Sequence, residues 1–377
     1  MLLELSHTWK FPNHLGSLQF SPSGKYLAAI AGNVLNFIHL ANGWEPVAAL
    51  DLKAELGLGN CNLSFHPTDD TLAIAGGRWV PWPDNPKTGQ DYLGIAYFPD
   101  PGGPPSRCFL TKALSGSNSL ALLPSNVVIA GAGTSIAWID LEDQSLTDLV
   151  SEVVQPYEEI FSDWPLARGM KYNPVDHSVA VCWLSVCESY LYAYNLAFTV
   201  GREIERYGIG GVQHSCFCRF GFRPDFKRLA VAVGYHESNT WEGQLGDLEK
   251  QTGKFGYILV FDYEPRPVIQ RFEIEAAVGT NFRITGVRDS KGNHCHYWYG
   301  IGDGMSNPVF VEDTMILFGL PGGDIGTLDT TTGKVETCAR CSRNVTMLDY
   351  STKKGLLAAG CDDGTTYVWQ VKSVRNE

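Results

Sequence analysis

Along this chain, apolar, small and β-branched residues gather in short runs bounded by Asp, Gly, Pro or Ser. Such runs are what short, packed antiparallel strands require, and turn residues are what end one. The stretch 345–371 shows the unit clearly. A run at 345–350 is followed by the turn Ser-Thr-Lys-Lys-Gly (351–355) and a second run at 356–361. The turn Asp362-Asp363-Gly364 then leads to a third run at 365–371. Helical periodicity is nearly absent; the best candidates, 52–58 and 152–161, are short and poorly capped. An all-β body is expected.

The unit recurs along the whole chain. Leu18-Gln19-Phe20-Ser21-Pro22 precedes runs at 26–32 and 35–40, and Leu63-Ser64-Phe65-His66-Pro67 precedes runs at 71–76 and 93–98. The third copy is 120–124, 127–131 and 136–140. Met170-Lys171-Tyr172-Asn173-Pro174 opens the fourth, and Phe220-Gly221-Phe222-Arg223-Pro224 opens the fifth. A more degraded sixth copy spans 309–311, 315–320 and 324–329, and 345–371 is the seventh. Most copies are followed by a fourth run, for instance 46–50, 268–274 or 334–337. Proline ends the ladder at each corner because it has no N–H, and the Ser, Asp and Gly beside it close the turn. Four strands every 40 to 50 residues or so describe a propeller blade, whereas a sandwich or barrel has no need to repeat one corner chemistry.

Three features carry a resemblance to the WD-repeat β-propeller family: the corner Phe-Ser-Pro-Ser-Gly-Lys-Tyr-Leu-Ala at 20–28, the run Asp363-Gly364-Thr365-Thr366-Tyr367-Val368-Trp369, and the third-run endings Ile139-Asp140, Phe261-Asp262 and Leu328-Asp329. The resemblance covers nearly the whole chain, 1–377, as one domain. No copy ends in Trp-Asp and no Gly-His pair precedes one, so the family's buried Asp–His–Ser/Thr–Trp network is not carried over. The resemblance implies an all-β, seven-bladed β-propeller of four-stranded antiparallel blades. It also implies a non-catalytic interaction scaffold that binds a protein or peptide partner.

The seventh copy has three runs and no fourth. The alternating segment 2–9 at the other end of the chain is the free candidate, with Leu3, Leu5, His7 and Trp9 on one face. It is expected beside 365–371, closing the ring as the outer strand of the C-terminal blade. Small residues such as Ala28-Ala29 and Ala358-Ala359 suit strands crowded near the axis. Tyr97, Trp138 and Tyr194 suit the wedges between blades.

Four insertions, 78–91, 151–166, 236–255 and 275–308, interrupt the units as long loops, all on the face that in propellers carries the b–c and d–a connections. They contain Trp79, Trp82, Trp164, Trp241, Trp298 and Tyr299, the candidate partner-binding residues. Loop self-packing and contact with a partner both account for such aromatics.

Composition removes alternatives more than it adds them. The net charge of −12 argues against a general nucleic-acid or anionic-membrane surface. No run approaches the ~18–20 apolar residues of a membrane span. Glu4 and His7 break what a signal peptide would need as its apolar core, and the ten cysteines lie mostly in apolar runs, so a reducing, cytoplasmic setting is expected. Phosphate-loop and nucleophile-elbow motifs are both missing. Cys338-Ala339-Arg340-Cys341 has the spacing of half a zinc site, and His294 and His296 alternate so as to face one way, but the usual second half is missing and ordinary loop cysteines are preferred. Asp69-Asp70 and Asp362-Asp363 are read as turn caps. No catalytic residue and no cofactor is assigned. The rival reading is a propeller enzyme, a metal-dependent hydrolase or lactonase-like protein with its site at the central channel.

Overall fold

The short apolar runs fold as strands. The computed structural model describes residues 1–41, 43–82, 85–111, 117–124, 126–132, 135–142, 146–148, 166–184, 189–195, 201–207, 213–237, 256–262, 269–274, 285–288, 294–297 and 306–372. Strand β1 (Leu2–Lys10) comes first. One four-stranded antiparallel sheet follows, β2 (Leu15–Phe20), β3 (Tyr26–Ala31), β4 (Val34–His39) and β5 (Pro46–Asp51), then a short helix α1 (Leu52–Leu56). The second sheet is β6 (Gly59–Phe65), β7 (Leu72–Trp82), β8 (Asn85–Phe98) and β9 (Arg107–Thr111). The third is β10 (Ser117–Leu122), β11 (Val127–Ala132), β12 (Ser135–Asp140) and β13 (Leu146–Asp148). The fourth is β14 (Leu166–Asn173), β15 (Ser178–Leu184), β16 (Ser189–Asn195) and β17 (Gly201–Tyr207). The fifth is β18 (Gln213–Phe222), β19 (Arg228–Glu237), β20 (Gly256–Asp262) and β21 (Ile269–Ile274). A two-stranded hairpin, β22 (Thr285–Arg288) with β23 (His294–Tyr297), precedes the sixth sheet, β24 (Val309–Phe310), β25 (Met315–Gly319), β26 (Asp324–Asp329) and β27 (Val335–Arg340). The seventh joins β28 (Val345–Ser351), β29 (Leu356–Cys361) and β30 (Thr365–Lys372) to β1.

Period-two alternation decides where the core lies. Ala28 and Ile30 of β3 face the second sheet, in a cluster with Phe65, Ile74 and Phe98. Their neighbours Leu27, Ala29 and Ala31 face the other way, against Leu356, Ala358 and Val368 of the seventh sheet. Every apolar cluster draws on two consecutive sheets in the same manner, from the first and second through to the sixth and seventh. The first strands of consecutive sheets also touch, and β28 touches β2. Full burial of a Phe, Leu or Ile is worth about 1.5–3 kcal/mol, so both faces of each sheet contribute to stability. Tyr194 is completely buried between the third and fourth sheets, Trp138 packs against the same cluster, and Tyr97 packs between the second and third.

The pairing expected of the N-terminal segment is present. β1 runs antiparallel to β30, from Leu2 opposite Lys372 to Lys10 opposite Thr365. Lys10 Nζ donates to Asp363 Oδ2 at 2.6 Å and to Thr365 Oγ1 at 3.0 Å. The chain then turns under Gly364, which sits at φ +83 with its Cα so close to the backbone that an added Cβ would fall 2.2 Å from the Asn13 carbonyl. One expectation fails here. A register shift between Leu5 and His7 exposes Leu5 (54%), while Leu3 joins the cluster between the sixth and seventh sheets and Trp9 joins that between the seventh and first. A bulge adds one residue and so changes the face of everything beyond it. Trp9 Nε1 donates to the Trp44 carbonyl at 3.2 Å, and the His7 ring stacks on Trp44, whose backbone is held at φ +65.

Two further expectations are corrected. Segment 78–91 is β-structure across most of its length: Arg78, Trp79, Val80 and Pro81 of β7 pair with Tyr92, Asp91, Gln90 and Gly89 of β8. Helix α1 is capped at both ends, contrary to its reading as poorly capped. Asp51 Oδ1 accepts from the N–H groups of Lys53 (3.0 Å) and Ala54 (2.9 Å), and Gly57 closes the helix in the left-handed conformation. The second helix candidate, 152–161, lies outside the described residues. Among the expected loops, 151–166 contributes only Leu166, the opening residue of β14, 236–255 contributes His236 and Glu237 of β19, and 275–308 contains the β22–β23 hairpin.

Candidate functional site

Two places combine unusual geometry with chemistry-bearing residues. The first is the β7–β8 ribbon. β6 accompanies β7 only as far as Gly77, opposite Gly59, and β9 leaves β8 at Leu93, opposite Thr111. Beyond those pairs, 78–82 and 85–92 continue as two strands with no neighbour on either edge among the described residues. Trp79 sits opposite Asp91 in this ribbon, and Trp82 sits opposite Asn85 at its tip. Arg78, at the base, lies beside Gly57, so α1 and the ribbon meet there. The remaining candidate aromatics, Trp164, Trp241, Trp298 and Tyr299, lie outside the described residues.

The second place is where the first strands of the sheets approach one another. In three sheets the residue just before the corner aromatic accepts a hydrogen bond from the next sheet. Gln19 Oε1 accepts the Phe65 N–H at 3.1 Å, Ser64 Oγ accepts the Leu122 N–H at 3.2 Å, and Asp349 Oδ2 accepts the Phe20 N–H at 2.6 Å. Asn307 does the same for the seventh sheet, taking the Leu348 N–H at 3.0 Å while its amide donates to the Leu348 carbonyl. Lys171 occupies the equivalent position of the fourth sheet, yet an ammonium has donors only and cannot accept such a bond. Arg219 of β18 donates to the Thr346 carbonyl of β28.

Electrostatics mark the same pair of residues. Burial pushes the Lys171 ammonium below its ordinary range, with the Asp349 charge pulling it back up. Burial pushes the Asp349 carboxyl up, opposed by the Phe20 N–H and by Lys171. In both, desolvation outweighs the attraction. The sequence singled out neither residue, although their shared position before a corner aromatic was visible in Met170-Lys171-Tyr172 and Leu348-Asp349-Tyr350.

The candidate metal residues divide. His294 and His296 lie in β23, opposite Arg288 and Gly286. Cys338 donates its thiol to the Ile325 carbonyl at 3.3 Å, and burial pushes it up to about 12. Cys341 is buried and hydrogen-bonded to Cys361, which, with burial, raises it further. A zinc ligand must be a thiolate, and these surroundings favour thiols. Among the described residues, no group of three or more His, Cys, Asp and Glu is placed to hold a metal ion. The carboxylates read as turn caps do cap turns: Asp69 Oδ1 accepts the Thr71 N–H and Asp363 Oδ1 accepts the Thr365 N–H, each at 2.9 Å.

No family model and no curated protein matches the chain. Among the described residues, no helix is long and apolar enough to cross a membrane.

Proposed function

We propose that the seven sheets are the blades of a closed β-propeller of WD-repeat type, and that the protein is a cytoplasmic, non-catalytic scaffold whose ribbon and long insertions dock a protein or peptide partner. The closed ring is supported by apolar clusters that join each sheet to the next and the seventh to the first. The docking role rests on the ribbon at 78–82 and 85–92. It extends past its own sheet, carries two tryptophans, and among the described residues pairs with no strand on either outer edge. Exposed strand edges are ready templates for a partner chain, and tryptophan is the residue type most enriched among energetic anchors.

The enzyme reading fits less well. A metal-dependent hydrolase or lactonase would need several ligands converging where the first strands meet. Those strands supply one carboxylate, Asp349, which already accepts the Phe20 N–H and faces a lysine.

Replacing Trp79, Trp82, Trp164 and Trp241 together by Ser tests the scaffold. Co-purification from the native host, with partners identified by mass spectrometry, should lose the specific partner while thermal unfolding shifts little. A partner retained at wild-type yield removes this face from consideration.

A further inference from the structure

The fold pairs its cysteines differently from what their spacing suggests. Cys338 and Cys341 stand in one Cys-x-x-Cys run, yet Cys338 turns its thiol to the Ile325 carbonyl of its own sheet. Cys341 is hydrogen-bonded instead to Cys361, the last residue of β29 in the seventh sheet. Both are free thiols, 4% and 0% exposed, and both belong to the apolar cluster between the sixth and seventh sheets.

Backbone bonds hold this contact from both sides. Residues 341–344 connect β27 to β28. At their start the Cys341 N–H donates to the Gly323 carbonyl at 2.7 Å. At their end Asn344 Oδ1 accepts the Gly322 N–H at 2.7 Å, and the Asn344 carbonyl accepts the Asp362 N–H at 3.0 Å. Asn344 Nδ2 also donates to Asp362 Oδ2 at 3.0 Å, the Tyr367 hydroxyl donates to Ser342 Oγ at 3.0 Å, and Cys361 lies opposite Val345. The connection therefore lies fastened to the β29–β30 turn, with one sulfur on each. A thiol is a weak donor, so the bond between them adds little stability. What adjacency adds is reactivity, because a disulfide closes only between sulfurs already side by side. The hydrogen bond to Cys361, and burial after it, hold Cys341 as a thiol, so the pair reacts slowly and rests reduced.

We infer that Cys341 and Cys361 are a redox-sensitive pair that hydrogen peroxide closes into a disulfide, stapling the 341–344 connection to the β29–β30 turn. The Cys361 sulfur attacks the peroxide: an S–O bond forms, the O–O bond breaks, and the thiol proton leaves with the hydroxide as water. Cys341 then attacks that sulfur. The S–S bond forms, the S–O bond breaks, and the second proton leaves with hydroxide as a second water. Two thiols lose two electrons in all, and one peroxide gains them. The staple closes beside the seat of β1, because the same turn carries Asp363, which binds Lys10, and Gly364, whose carbonyl accepts the Phe11 N–H. Oxidation thus tightens the sheet that β1 completes.

Peptide mapping of the full chain tests the pair. The protein is exposed to hydrogen peroxide, quenched in acid, alkylated and digested without reductant. The expected product is a linked pair of peptides carrying Cys341 and Cys361, two hydrogens lighter than their sum, which dithiothreitol splits. Cys338→Ser should keep that link, whereas Cys341→Ser and Cys361→Ser should each abolish it. Oxidised wild type should also unfold at higher urea than reduced wild type, a shift that Cys361→Ser should lack. A link between Cys338 and Cys341, sulfinic acids at 341 and 361 without a link, or both thiols surviving peroxide that oxidises free cysteine would each overturn the pair. An oxidised form no harder to unfold would overturn the staple. Should a serine variant at 341 or 361 fail to fold by circular dichroism, the wild-type map, its urea shift and Cys338→Ser decide alone.

Discussion

The Phe20 backbone N–H donates to Asp349 Oδ2 at 2.6 Å, joining residues 329 positions apart. One carboxylate thus ties the first strand of the seventh sheet to that of the first sheet, and its ionisation is linked to folding.

The sign of that linkage is testable. Burial raises the folded-state pKa of Asp349, so its contribution to stability is complete below the ordinary carboxylate range and is lost as pH rises through the raised value. Asp349→Asn does not ionise. Its melting temperature should gain on wild type as pH rises from about 4 toward 7, spanning the ordinary carboxylate pKa near 3.9. Asp349→Ala leaves the Phe20 N–H unpaired and should cost about 1–3 kcal/mol across the range. Thermal unfolding followed by circular dichroism at stepped pH measures both, and a wild type that gains on Asp349→Asn with rising pH contradicts the linkage.

The junction between β1 and β30 should be a weak point for small changes. Gly364→Ala adds a methyl group 2.2 Å from the Asn13 carbonyl and 2.6 Å from that of Phe11, at φ +83. Such a clash at a left-handed position should cost more than about 2 kcal/mol. Deleting 1–10 should cost at least as much and should add self-association, because it bares the β30 edge. Urea titration and light scattering check the two effects. A deletion variant that stays monomeric at wild-type stability would show that β1 is dispensable.

Thiol chemistry gives an independent check on burial. Cys61 and Cys338 are pushed up to about 12 by burial. Against an ordinary value near 8.5, their thiolate fraction at pH 8 falls by roughly a thousandfold. Iodoacetamide at that pH should label both at least a hundredfold more slowly in native protein than in urea, with peptide mapping as the readout. Rapid native labelling of Cys338 would reopen it as a metal ligand.

Much of this fold was legible in the sequence because the informative signals are local. Short apolar, β-branched runs and aromatic-x-Pro corners each need only a few neighbouring residues, and they located the sheets and the aromatics Tyr97, Trp138 and Tyr194 that pack between them. The segment 78–91 was read as a loop because it interrupts the repeated unit, whereas a two-stranded extension of β7 and β8 needs no repeat to mark it. In the ribbon, Pro81 stands opposite Gly89, and among the described residues no third strand pairs with its other edge. The bulge after Leu5 has no residue signature. The electrostatic coupling of Lys171 with Asp349 was hidden for another reason: the two belong to sheets that lie far apart along the chain.

The pairing of β1 with β30 also reverses the usual relation between manufacture and assembly. Lys10 leaves the ribosome 355 residues ahead of Thr365, the residue it binds. At 5–20 residues per second this is a wait of roughly 20–70 s. During that interval the earliest described strand is an orphan with both edges open, and every sheet between can form before it is seated. Among the described strands, β1 therefore waits longest for its partner.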